Sequence, residues 1–290
     1  MSYTQRDQHI LDYALFELDG VKPYPGGGLF RGPKPIGPNF ISCIGAAQTF
    51  GCFVQDPFPM LLSRNIGLEV LNLGHGGAGP TFHNSNQAIM RYINLSKLVI
   101  VQVFSGRSQS NSEFKTSFHG MEGYRLKDNK QMIAAEFYAH YLRENPSKIE
   151  SLVQETRTNY VKDMITLLCD IKVPKILFWF SVRKPKYFSE YRLPLYKFWG
   201  AFPQFVNDEM INLIIPYADD YVECISSSGL PQKLYDKDGR QTSVIHSYNI
   251  ENPEVRIETE NNYYPSPEMH IEAAKVLTLA CNRFLKNIND

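Results

Sequence analysis

Hydrophobic positions in this chain fall into short continuous runs separated by longer amphipathic stretches. That alternation predicts strands separated by helices. The candidate strands are FISCI (40–44), LEVLNL (68–73), KLVIVQVF (97–104), KILFWFS (175–181) and DYVECIS (220–226). The third is almost unbroken in apolar residues, as expected of a strand covered on both faces. Helical periodicity is expected over 50–65, interrupted at Pro57 and Pro59, and over 80–95, 131–144, 147–171, 204–217 and 267–288. Strands separated by helices imply parallel βαβ units. The predicted fold is therefore α/β, with a doubly wound, mainly parallel five-stranded sheet and a helical insertion after the third strand. Residues 1–39, dense in Gly and Pro around YPGGGLFRGPKPIGP, are expected to form an N-terminal extension, and 40–290 a single α/β domain.

Charge narrows the partners. The chain has 290 residues, with Lys+Arg 30 balanced by Asp+Glu 30. Zero net charge gives no general attraction to nucleic acid or to an anionic membrane. The expected partner is a small molecule or a glycan. Cys43, Cys52, Cys169, Cys224 and Cys281 form no C-x-x-C pair and are odd in number, which suits buried free thiols in a reducing compartment. The first residues lack the apolar core of a signal peptide, and no apolar run approaches a membrane span. A cytoplasmic location is expected. No spacing of His, Cys, Asp or Glu suggests a metal site; His119 and His140 stand apart.

Ligand sites in open parallel sheets lie at the carboxyl ends of the strands. Here those ends are 45–48, 74–79, 105–111, 182–186 and 226–229, and they are rich in Gly, Ser, Arg and Asn. IGAAQTFG (44–51) follows the first strand, NLGHGGAGP (72–80) the second and SGRSQSN (105–111) the third; YYPSPEMHIEAA (263–274) leads into the last helix. In this order the four segments resemble the motifs of the SGNH/GDSL hydrolases, whose sheet is flavodoxin-like. Gly45, Thr49 and Gly51 match the first motif, but Ala46 and Ala47 stand where the family has Asp and the nucleophilic Ser. Gly77 matches the glycine whose N–H faces the oxyanion. Arg107 stands at the oxyanion asparagine, Asn261 at the Asp of the last motif and Tyr264 at its catalytic His. His270 matches a downstream histidine. The SGRSxSN and GLPQ elements also resemble an uncharacterised bacterial family associated with surface polysaccharides.

The resemblance implies an acyl-transfer scaffold, and the departures argue against its usual mechanism. Alanine cannot attack a carbonyl, and tyrosine, with an ordinary pKa of about 10, is a poor base at neutral pH. Backbone donors at Ala47 and Gly77 do not depend on side chains. With the planar cation of Arg107 they suit a permanent anion. Gln48, Asn111, Arg183 and Tyr264 complete the expected ligand-binding set. His75, His270 and Ser105 are the candidate catalytic residues. The expected function is a transferase that modifies a carbohydrate or other hydroxylated acceptor, with an anionic donor (nucleotide-linked or acyl-CoA). A catalytically silent binding or assembly protein and an esterase with a nonstandard nucleophile are the alternatives.

Overall fold

The computed structural model describes residues 10–21, 29–117, 122–246 and 256–289. β1 (Leu15–Glu17) and β2 (Leu29–Arg31) precede β3 (Phe40–Gly45), α1 (Ala47–Phe50), α2 (Phe58–Ile66) and β4 (Glu69–Gly74). α3 (Pro80–Asn84) and α4 (Gln87–Leu95) lead to β5 (Val99–Gln102). Then come β6 (Phe114–Thr116), β7 (Glu122–Arg125), β8 (Lys130–Ile133), α5 (Ala134–Glu144), α6 (Ile149–Asp170) and β9 (Lys175–Ser181). α7 (Leu195–Trp199), α8 (Asp208–Ile214) and a 3-10 turn (Ile215–Tyr217) reach β10 (Asp220–Ile225). The strands β11 (Gln232–Lys233), β12 (Val244–His246), β13 (Arg256–Glu258) and β14 (Glu260–Asn261) pair as β11–β14 and β12–β13 before α9 (Pro267–Asn289).

The central sheet is mainly parallel and has the order β1-β2-β4-β3-β5-β9-β10. It has seven strands, not five. β2 joins β4 antiparallel through Arg31 opposite Asn72, and β1 pairs antiparallel with β2. Both extra strands are three residues long and come from the segment expected to be extension. Runs that short carry no periodicity to detect. Part of the Gly-rich stretch, 22–28, lies outside the described residues, as do 1–9 and His119.

The segment after β5 is also not purely helical. β6, β7 and β8 form an antiparallel meander, and 131–133, expected to be helix, is strand. Two expected helices are split. Pro57 caps α2 and Pro59 stands in its first turn, where a missing N–H costs nothing. The run 80–95 breaks before Asn86, whose side chain accepts the Ile89 N–H and starts α4.

Alternation along each strand sends side chains to two cores. Val99, Val101, Leu177 and Trp179 pack with Tyr160, Met164 and Leu167 of α6, and with Ile211 and Ile214 of α8. Ile41, Cys43, Ile100, Ile176 and Phe178 face Phe58 and Leu62 of α2, and Met269, Ala273 and Leu277 of α9. Helices therefore cover both faces, and only the strand ends are left to bind ligand. Cys43, Cys52, Cys224 and Cys281 are buried; Cys169, expected to be buried, is exposed near the end of α6. No helix among the described residues is long and apolar enough to cross a membrane.

The N-terminal segment is stapled to this frame by Arg31. Its buried guanidinium donates to the carbonyls of Phe50 (3.3 Å), Gly51 (2.5 Å), Val54 (2.6 Å) and Gln55 (2.9 Å). It also lies over the Tyr13 ring at 4.9 Å. The planar donor fork of arginine satisfies the carbonyls where α1 ends, a role that a lysine ammonium could not fill.

Candidate ligand site at the strand ends

At the end of β3 the chain turns sharply through Ala46 into α1, whose first residue is Ala47. Both neighbouring strands grip this turn. From β5, Gln102 Oε1 accepts the Ala46 N–H (3.0 Å) and the Thr49 hydroxyl (2.7 Å). From β4, Asn72 Nδ2 donates to the Thr49 carbonyl (3.0 Å) while its Oδ1 accepts the Gly74 N–H (2.9 Å). A Cβ at Gly45 would overlap Thr49 Oγ1 and Gln102 Oε1, and one at Gly74 would overlap the Phe50 backbone nitrogen. Glycine is needed at both points because side chain and backbone approach so closely. The turn is therefore rigid and buried, and its leading side chain is a methyl group with no nucleophilic atom.

The glycine loop after β4 is held beside the turn, since the His75 N–H donates to the Gly45 carbonyl at 3.0 Å. Gly77 adopts φ +80°, a left-handed conformation that favours glycine. The His75 ring is half-buried and stacks on Phe82, with centroids 4.8 Å apart and planes 4° apart. Gln48 is buried on α1, and its Oε1 makes no hydrogen bond in the protein.

Beyond β5, Ser105 Oγ accepts the Arg107 N–H at 3.3 Å and the Gly106 N–H donates to the Gln204 carbonyl at 2.8 Å. Ser105 thus helps shape the turn that presents Arg107. The Arg107 guanidinium is half-buried over the Trp199 ring, at 5.5 Å. Among the described residues it makes no hydrogen bond and no ion pair. Tyr264 packs edge-on against Phe53 (5.6 Å) and Tyr263 (4.9 Å). Asn261 Oδ1 accepts the N–H groups of Tyr263 and Tyr264, and its Nδ2 donates to the Tyr264 carbonyl (3.0 Å). Asn261 therefore builds a turn.

Three of the expected site residues have other work. His270 is fully buried among Phe58 and Phe180, and its Nδ1 accepts the Phe58 N–H at 3.0 Å. It fixes the start of α9 against the start of α2 and cannot serve as the base. Arg183 donates to the carbonyls of Ala201, Lys184, Pro185, Pro203 and Val206 and stacks on Tyr187 at 4.3 Å. Burial lowers its pKa to about 10, and with its donors engaged it ties a loop instead of holding a ligand. Asn111 lies within the insertion. It donates to Tyr138 Oη (3.2 Å) and Thr156 Oγ1 (3.0 Å) and accepts from the backbone of residues 113 and 114.

Gln102, Gln204, Trp199 and His83 went unnoticed in the sequence. Gln102 could have been found as the one polar residue in an apolar strand; the others sit in aromatic loops or a helix with no distinguishing spacing. His83 is fully buried on α3 near Phe104, and neither ring nitrogen has a hydrogen-bond partner among the described residues.

The chain matches the family described as "Domain of unknown function (DUF6473)" over residues 1–120 and 135–285. Among curated proteins no match is found. Several solved structures are similar. A carbohydrate esterase family 2 enzyme with a carbohydrate-binding domain, from Corynascus thermopiles (Myceliophthora fergusii), is 12% identical over 90% of this chain and 70% of that chain, with TM-score 0.40. A variant of an acetyl-xylooligosaccharide esterase from Geobacillus stearmophilus is 11% identical over 82% of this chain and 92% of that one, with TM-score 0.41. A candidate SGNH hydrolase from Slackia heliotrinireducens is 14% identical over 84% and 98%, with TM-score 0.39.

Two buried imidazoles make the fold acid-sensitive. Burial, and secondarily the charge of a neighbour (His75 for His83, Arg31 for His270), lowers both pKa values from 6.5 to about 3. The unfolded chain binds these protons near pH 6.5, whereas the folded chain does so only near pH 3. Their contribution to stability is complete above the unfolded value and is lost as pH falls from there toward the folded value. Urea unfolding between pH 7 and pH 4 is expected to show stability falling with a slope approaching two protons, and approaching one proton in His83→Phe. A slope that His83→Phe leaves unchanged would contradict the assignment of that proton.

Proposed function

We propose a function from the premise that the chain belongs to the family described as a domain of unknown function (DUF6473). Its site binds an anionic group at Arg107 and transfers that group, or an acyl group carried with it, to a carbohydrate or other hydroxylated acceptor without forming an enzyme–substrate bond. One observation carries this reading: a half-buried guanidinium stacked on Trp199 that engages no acceptor among the described residues. Cations so placed are ordinarily paired, and an arginine fork matches carboxylate, phosphate or sulfate in two-point contact. Arg31 and Arg183 both satisfy their donors on carbonyls, so Arg107 stands out against the chain's own arginines.

In the transfer step the acceptor hydroxyl oxygen bonds to the donor's acyl carbon, phosphorus or sulfur. The bond to the leaving group breaks with its electron pair, and His75 takes the hydroxyl proton. His75 has the right place for this role because its backbone is hydrogen-bonded to the β3 end. The donor is an acyl-CoA or a nucleotide-linked group, and a place in surface-polysaccharide synthesis fits a glycan acceptor. A second reading, ligand binding with no turnover, is favoured by the burial of His270, which leaves the last motif without an imidazole at the strand ends.

Thermal shift with sulfate, phosphate, nucleotide-linked donors and acyl-CoA tests the site. At least one is expected to stabilise the wild type, and Arg107→Ala is expected to lose that shift. No response from the wild type, or an equal response from the variant, contradicts the proposal. Consumption of a donor on adding sugar acceptors separates transfer from silent binding. A different outcome is expected for Ala47→Ser: the variant stays inactive toward p-nitrophenyl acetate, because a serine there has no buried acid–imidazole pair beside it. Esterase activity gained by that single change would mean that His75 activates a serine on the turn without an acid partner, and would favour an enzyme–substrate bond over direct transfer.

A further inference from the structure

Three buried glutamines near this site are unusual. Gln48, Gln102 and Gln204 are each at most 2% exposed, and each has a side-chain amide atom with no hydrogen bond among the described residues. These atoms are Gln48 Oε1, Gln102 Nε2 and Gln204 Oε1. A buried amide atom left unbonded costs about 1–3 kcal/mol, so such groups are scarce in folded proteins. These three belong to connections between adjacent strands. Gln48 follows β3, Gln102 ends β5 and bonds to the turn that carries Gln48, and Gln204 follows β9 and accepts from Gly106, next to Arg107.

Their chemistry is mixed and neutral. Two acceptors and one donor suit hydroxyl groups, which both donate and accept, better than a second anion. Tyr263 covers this region. Its hydroxyl accepts from Gln204 Nε2 at 3.2 Å, and it is 42% exposed. An exposed ring can swing away at little cost, leaving the Gln204 amide to a ligand hydroxyl and an aromatic face for an apolar ring surface. Beside it, Arg107 on Trp199 offers a planar cation.

We propose that this region is a subsite for an acidic sugar: the carboxylate pairs with Arg107, and the ring hydroxyls bond to Gln204 and Gln48. The proposal rests on the reading that Arg107 holds the donor's anion, and it makes that donor a nucleotide-linked acidic sugar. Gln102 has a positioning role, since its Oε1 is committed to the turn.

Calorimetric titration with methyl glucuronide, methyl glucoside and sulfate tests it. The wild type is expected to bind the glucuronide about ten-fold more tightly than either of the others. Gln204→Leu is expected to lose most of that preference and keep its affinity for sulfate. Because Gln204 is buried and its replacement puts folding at risk, Tyr263→Phe is the second arm. It removes an exposed hydroxyl that competes for the amide, and is expected to tighten glucuronide binding about two- to five-fold with sulfate unchanged. Sulfate bound as tightly as the glucuronide, or a preference indifferent to both variants, overturns the sugar inference alone. Absence of any Arg107-dependent anion binding overturns the proposed function with it.

Discussion

The structure depends on how closely the turn after β3 approaches its two neighbours. Gly45 and Gly74 leave no room for a side chain, and Gln102 and Asn72 bond the turn from either side. The carboxyl ends of β4, β3 and β5 are thus fixed relative to one another before any ligand arrives. Such preorganisation is what a site needs if its donors are to act without first being ordered. It is also costly, because every buried amide in the turn must find a partner. None of these contacts uses the side chain of Ala47.

Arginine usage is the ground for the proposed anion site. Arg31 and Arg183 serve as multi-donor clamps on carbonyls, one at the end of α1 and one in the loop after β9. Both are held by the fold, and neither has donors to spare. Arg107 has the same kind of aromatic support but no such acceptors. In a chain of zero formal charge, a cation whose donors are not spent on carbonyls gives local attraction where the global field gives none.

The five parallel strands were legible because their apolar runs are long enough to carry a pattern. β1 and β2 were not, since three residues have no period and their role depends on pairing with β4. The meander was not legible because its strands are short, so residues 131–133 read as the start of the helix that follows them. At the site, the resemblance of motifs placed Ala47, Gly77 and Arg107 at strand ends. It did not reveal that His270 and Arg183 spend their polar atoms on the backbone, because those partners are remote in sequence or lie within irregular loops. Trp199 and Gln204 acquire meaning only through tertiary contact with the loop that carries Arg107.

The proposed function requires that Arg107 hold a bound anion. A nitrogen NMR titration of arginine Nε–H signals with sulfate tests it most directly. The account predicts a saturable shift of the Arg107 signal, while the Arg183 signal, whose Nε–H already donates to the Ala201 carbonyl, stays in place. An Arg107 signal that does not move, or an Arg183 signal that moves first, would contradict it.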